Sequence, residues 1–171
     1  MTHPRDSTIK ATSALTTALT SGADLNTLLS TFTVSPAAIA HEHGHPKLAT
    51  FLGRTFRGHK GVGEYFTLVE RQMRIKEMEF NRECDWVVDA EKKTVCLRGR
   101  GVWENKLTSE QWVEIFAYRV ELAEEEWEGC KDKGELKVKS YEVWADTGAA
   151  FLAEKGKLRN MDTDYWGSGM S

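Results

Sequence analysis

What most constrains this chain is a pair of long segments whose apolar residues alternate. Between 94 and 106, Val95, Leu97, Gly99, Gly101 and Trp103 alternate with Thr94, Cys96, Arg98, Arg100 and Glu104. Successive side chains of a strand point to opposite faces, so this spacing predicts one buried face and one wetted face. From 111 to 123, Trp112, Phe116, Tyr118, Val120 and Leu122 share one side, and Val113, Ile115 and Ala117 share the other. Both faces of that strand therefore call for cover. Met78, Phe80, Cys84, Trp86 and Val88 alternate with acidic residues and read as one further strand, turning at 89–93. Residues 135–145 carry Leu136, Val138 and Trp144 on one parity and Tyr141 and Val143 on the other. Antiparallel hairpins are the simplest way to join them. The glycines at 99 and 101 mark a bend or a close approach.

Helical spacing comes earlier. Residues 6–21 read as a helix stopped by Gly22, its Thr-rich face turned to solvent. A second helix follows Asp24, with Leu25, Leu28, Leu29 and Phe32 on one stripe. The irregular stretch 38–57 reads as a strand pair, and a third helix sets Val62, Tyr65, Phe66, Val69 and Met73 on one side. Asp146 or Thr147 can cap a short last helix. Helices before strands is the α+β order. Helices packed on one face of a twisted sheet make a cone-shaped half-open barrel over a curved antiparallel (mixed) sheet. Residues 1–155 are expected to form one such domain, and 156–171 a flexible tail. Such a cone has an inside, and the amphipathic rings of Tyr65, Trp86, Trp103, Phe116, Tyr118 and Trp144 are expected to wall it.

Composition excludes several functions. A net charge of -3 gives no basic field for nucleic acid. No apolar stretch approaches the length of a membrane span. Three cysteines without C-x-x-C spacing read as free thiols of a reducing, cytoplasmic compartment, with Cys84 and Cys96 as small buried hydrophobes. The run GRTFRGHKGVG lacks the G-K-[ST] ending of a phosphate loop and reads as a turn into the third helix. No cofactor motif is present. The acidic residues Glu121, Glu124, Glu125, Glu126 and Glu128 lack calcium-loop spacing and read as a solvated hairpin tip.

His41, His43 and His45 alternate, a spacing a metal could use, but Gly44 and Pro46 break the strand and no metal is expected. Two readings stay open for His43: a structural histidine, or a pocket hydrogen-bond partner and general base, with His41 beside it. Asp146 is read either as a helix cap or as an acid or base at the cone mouth. Arg98 and Arg100 are expected to pair with Glu104 or Glu114 on the outer surface.

Ser35-Pro36, Glu42-His43-Gly44, Phe56-Arg57-Gly58, Gly61-Val62, Tyr65-Phe66, the strand Trp112 to Tyr118, and the run from Tyr141 to Asp146 span about residues 24–154. In this combination the chain resembles the nuclear transport factor two-like superfamily, particularly its SnoaL-like branch. The resemblance implies a cone-shaped α+β barrel, a homodimer through the outer sheet face, and a pocket used by isomerases, dehydratases, cyclases, epoxide hydrolases and non-catalytic binders. Enzymes of that superfamily place an Asp or His, often with a Tyr, inside the cone. No inward carboxylate is read on the strand around Phe116. The expected partner is a small hydrophobic organic molecule. Two functions stay open: cofactor-free isomerisation, dehydration or cyclisation using His43 and Asp146, and non-catalytic binding.

Overall fold

The computed structural model describes residues 4–126 and 134–160. Four helices pack on an unclosed seven-stranded mixed sheet. The helices are α1 (Pro4–Thr20), α2 (Leu25–Leu29), α3 (Gly58–Gln72) and α4 (Thr147–Glu154). The strands are β1 (Ile39–His43), β2 (Thr55–Arg57), β3 (Met73–Phe80), β4 (Val87–Asp89), β5 (Thr94–Asn105), β6 (Gln111–Glu124) and β7 (Leu136–Trp144). The strand order is β2-β1-β7-β6-β5-β3, with β4 also paired to β5. All pairs are antiparallel except β1 with β7, which are parallel. This is the expected α+β cone with a mixed sheet.

The long strands β5 and β6 follow their alternation. Val95, Leu97 and Trp103 on β5 face Val120, Tyr118 and Trp112 on β6, and all six are buried. Gly99 and Gly101 occupy inward positions between them, and rings fill the space they leave. A Cβ at Gly99 would lie 2.3 Å from Phe116 Cζ, and one at Gly101 would lie 2.6 Å from Trp103 Nε1. Phe116 in turn stacks on Tyr118 at 4.8 Å and meets Phe80 edge-on at 5.7 Å. Gly99→Ala is therefore expected to destabilise the fold by about 1–3 kcal/mol through overpacking. An unchanged urea midpoint would contradict this placement of Phe116.

Several elements depart from the periodic reading. The stretch read as one strand through Trp86 breaks at a single 3-10 turn, Glu83–Asp85, between β3 and β4. Cys84 and Cys96 are exposed rather than buried, because that turn and the outward parity of β5 carry them to the surface. The Thr face of α1 is buried: Thr8, Thr12 and Thr16 are covered, and their hydroxyls bond back to the carbonyls of Pro4, Thr8 and Ser13. With the hydroxyls satisfied inside the helix, the methyl groups are free to pack.

β7 carries apolar residues on both parities for a different reason from double-sided burial. Glu121 pairs with Ser140 but Leu122 pairs with Val138, so Lys139 is a bulge. The extra residue switches parity, and Val138, Tyr141 and Val143 all enter the core. A second register shift, between Ile75 and Glu77, bends β3.

Glu125, read as part of a solvated tip, is buried and accepts the backbone N–H groups of Val34 and Ser35. Glu128 lies outside the described residues. Of the segment read as a tail, residues 156–160 are docked: Leu158–Asn160 form a 3-10 turn, and Leu158 N donates to the buried Glu110 carboxylate at 2.9 Å. Residues 161–171 lie outside the described residues.

Candidate functional site

Between the concave face of the sheet and helices α1, α3 and α4 lies a mostly apolar cavity with about 70 Å³ of free space. Its rings include Tyr65, Trp103, Trp112, Phe116, Tyr118 and Tyr141. Two glutamates, Glu42 and Glu114, enter it, with Asp146 at its edge. Among the described residues that line it there is no Lys, Arg or His.

Glu42 is carried in by β1. Alternation there buries Ala40 and Glu42 and turns His41 and His43 the other way. Opposite it, the amphipathic face of α3 brings Tyr65 down, and the Tyr65 hydroxyl donates to Glu42 Oε2 at 2.6 Å. The glutamate is only 8 % exposed. Burial penalises its charged form more than the tyrosine stabilises it, and its pKa rises to about 7. Glu114 sits two residues before Phe116 on β6 and shares its inward face. It accepts Trp112 Nε1–H at 2.9 Å. Burial, reinforced by the charges of Glu42 and Asp146, lifts its pKa to about 7 as well.

Around the two carboxyls the hydroxyls remain donors. Burial holds Tyr65, Tyr118 and Tyr141 well above the ordinary tyrosine range, and the rings of Tyr118 and Tyr141 meet edge-on at 4.9 Å. The Trp103 indole N–H stands apart: it is buried and has no hydrogen-bond partner among the described residues.

Of the residues read from sequence as a site, the structure brings Tyr65, Trp103, Phe116, Tyr118 and Asp146 to the cavity. It places the other four elsewhere. His43 lies on the outer side of β1, stacked on Trp144 at 4.2 Å, with Nε2 3.3 Å from Glu142. His41 packs against His43 and meets the Thr55 hydroxyl at 3.2 Å. Trp144 is 42 % exposed on the outer face, because the Lys139 bulge reverses the parity on which it was assigned inward. Trp86 is buried, but its Nε1–H closes a local loop onto Asn81 O.

His45 accepts the backbone N–H of Lys47 instead of joining its two neighbours. Asp146 caps α4, accepting from Gly148 N and Ala149 N. Arg100 approaches Glu77 and Glu79 instead of Glu104 or Glu114, and Glu104 pairs with Arg74 and Lys76. The expectation that no carboxylate faces inward near Phe116 is corrected by Glu114. The two glutamates were the residues missed, and strand parity relative to Ala40 and Phe116 was the signal that marks them.

This is the nuclear transport factor two-like fold: a half-open cone of curved sheet, closed by helices over an aromatic cavity. Solved structures of that fold match over most of the chain. An NTF2-like protein from Burkholderia xenovorans is 17 % identical, with a TM-score of 0.60, over 88 % of this chain and 97 % of that one. PrhC from Penicillium brasilianum is 16 % identical, with a TM-score of 0.62, over 94 % and 97 %. The BvnE pinacolase from Penicillium brevicompactum is 11 % identical, with a TM-score of 0.60, over 92 % and 97 %. No protein-family model and no curated protein sequence matches the chain. No helix among the described residues is long and apolar enough to cross a membrane.

Proposed function

We propose that this protein is a cofactor-independent enzyme that isomerises, dehydrates or cyclises a hydrophobic metabolite by proton transfer inside the cone. The observation that carries this reading is the pair Glu42 and Glu114, two buried carboxyls in an aromatic-walled cavity, each poised to gain or lose a proton near pH 7. A group titrating near the working pH is suited both to take a proton and to return it. In this scheme Glu42, oriented by Tyr65, takes the proton. Glu114, oriented by Trp112, supplies one. His43 has no part in it. The fold likeness to a pinacolase favours chemistry over passive binding. A substrate larger than the free space enters by displacing flexible side chains such as Met73 and Met78 at the wall.

The test starts from native mass spectrometry of protein taken from its own source, which identifies a retained molecule. Turnover of that molecule and its relatives is then compared between wild type and Glu42→Gln. Turnover that survives the substitution defeats the assignment of Glu42. If no related compound turns over at all, the cavity is a binding site without chemistry.

We further propose that two copies pair through the outer sheet face. Val113 and Ile115 on β6 are 48 % and 38 % exposed there, beside Trp144 on β7. A single chain leaves these apolar groups in water, and a two-fold pairing covers them with their own equivalents. Light scattering at micromolar concentration is expected to give the dimer mass, and Ile115→Glu the monomer mass. A monomeric wild type rejects the pairing. Exposed free thiols at Cys84 and Cys96 suit a reducing cytoplasm.

A further inference from the structure

We infer that the Trp103 indole N–H is a ligand anchor, and that the cavity takes an uncharged, largely apolar molecule carrying a carbonyl-type acceptor oxygen at that point. This deepens the function proposed above and rests on it.

The argument starts from an unmade bond. Trp103 is 92 % buried, as its 8 % exposure shows, yet its Nε1–H finds no acceptor. Among the described residues the other two buried indoles, Trp86 and Trp112, each have one, at Asn81 O and Glu114 Oε2. An unpaired buried donor is a standing penalty in the empty protein, and a ligand that supplies the acceptor recovers it. The indole is also aimed. Its nitrogen lies 2.6 Å from where a Gly101 Cβ would stand, so the missing side chain at 101 is what lets the ring lie against the sheet. Gly101 pairs directly with Glu114 across β5 and β6. Side chains opposed in this way stand about 5 Å apart, so an oxygen accepting from Trp103 lies within reach of the Glu114 carboxyl.

The remainder of the lining sets the ligand's charge. With carboxyl groups but no cation among the described lining residues, an anionic ligand is repelled, while the rings accept apolar surface. A neutral carbonyl oxygen satisfies both the orphan donor and the protonated form of Glu114.

The experiment uses two probes of nearly equal shape, acetophenone and ethylbenzene, which differ by one carbonyl. Both need the same opening of the cavity, so their difference isolates the oxygen. In ¹⁵N-labelled protein, the indole N–H signal of Trp103 is identified by its loss in Trp103→Phe. That signal is expected to move downfield with acetophenone and to stay in place with ethylbenzene. Trp103→Phe removes the orphan donor while keeping a ring, so its melting temperature is expected to hold or rise. It should weaken acetophenone binding roughly tenfold and leave ethylbenzene nearly unchanged. Gly101→Ala, which displaces the indole, should show the same selective loss.

If both probes bind but shift Trp103 equally, or if the variants leave their affinity ratio unchanged, the anchor is wrong and the proposed chemistry of Glu42 and Glu114 stands. If the folded protein binds neither probe, the anchor is rejected and the cavity's use as a small-molecule site falls with it.

Discussion

Replacing Glu42 and Glu114 together by glutamine is expected to make the protein several kcal/mol more stable than wild type at pH 8, with nearly all of that advantage gone at pH 4. Each carboxyl has its folded-state pKa raised from the ordinary 4.5 to about 7. Below 4.5 both folded and unfolded chains hold the proton, and there is no difference to express. Between 4.5 and 7 the unfolded chain releases protons that the folded chain keeps, so stability falls as pH rises. Above 7 the loss is complete, at roughly 3 kcal/mol per carboxyl.

Glutamine keeps an acceptor for the Tyr65 hydroxyl and for Trp112 Nε1–H, and it never ionises. The measurement is urea unfolding of wild type and double variant at pH 4, 6 and 8. Parallel curves for the two proteins across that range would show that neither carboxyl is held protonated by burial.

Turnover is expected to fall by about 10²–10⁴-fold in Glu42→Gln, the usual contribution of a positioned acid or base. Since Glu42 and Glu114 lie close enough to influence each other's ionisation, the proposed mechanism makes the form holding one proton between them the productive one. The rate profile should be a bell with its maximum near pH 7, and its two apparent pKa values belong to the pair. His43→Ala, on the outer sheet face, should leave the profile unchanged. A bell that survives Glu42→Gln, or one that His43→Ala abolishes, would move the chemistry out of the cavity.

The parts of the fold that were legible are those where period and burial agree. On β5 and β6 alternation runs unbroken for a dozen residues, and it correctly turned Trp103, Phe116 and Tyr118 inward. The same rule, applied without regard to charge, also turns Glu114 inward, since it shares parity with Phe116. It turns Glu42 inward too, because the alternating imidazoles of His41 and His43 leave Ala40 and Glu42 for the opposite face. A carboxyl is ordinarily sent to water because burying its charge is costly. The reading failed at the two positions where the chain breaks that local rule, which is where function is expected to appear.

Other errors have a different origin. The 3-10 turn at Glu83–Asp85 interrupts a pattern whose spacing is otherwise that of a strand, and the bulge at Lys139 hides in a polar residue that any surface strand would carry. Neither leaves a mark in hydropathy. The outward turn of Trp144 follows from the bulge alone.

That one bulge also decides which side chains the chamber contains. Were Lys139 drawn into the ladder, so that β7 paired with β6 in regular register beyond Val138, every later residue would turn by one face. Tyr141 and Val143 would leave the interior, and Glu142 and Trp144 would take their places. A hydroxyl and an isopropyl group would give way to another carboxylate and an indole with no change of sequence. Deleting Lys139 has the opposite consequence: Val138, Ser140 and Tyr141 would follow one another in plain alternation, still opposite Leu122, Glu121 and Val120, and the interior would keep its present lining.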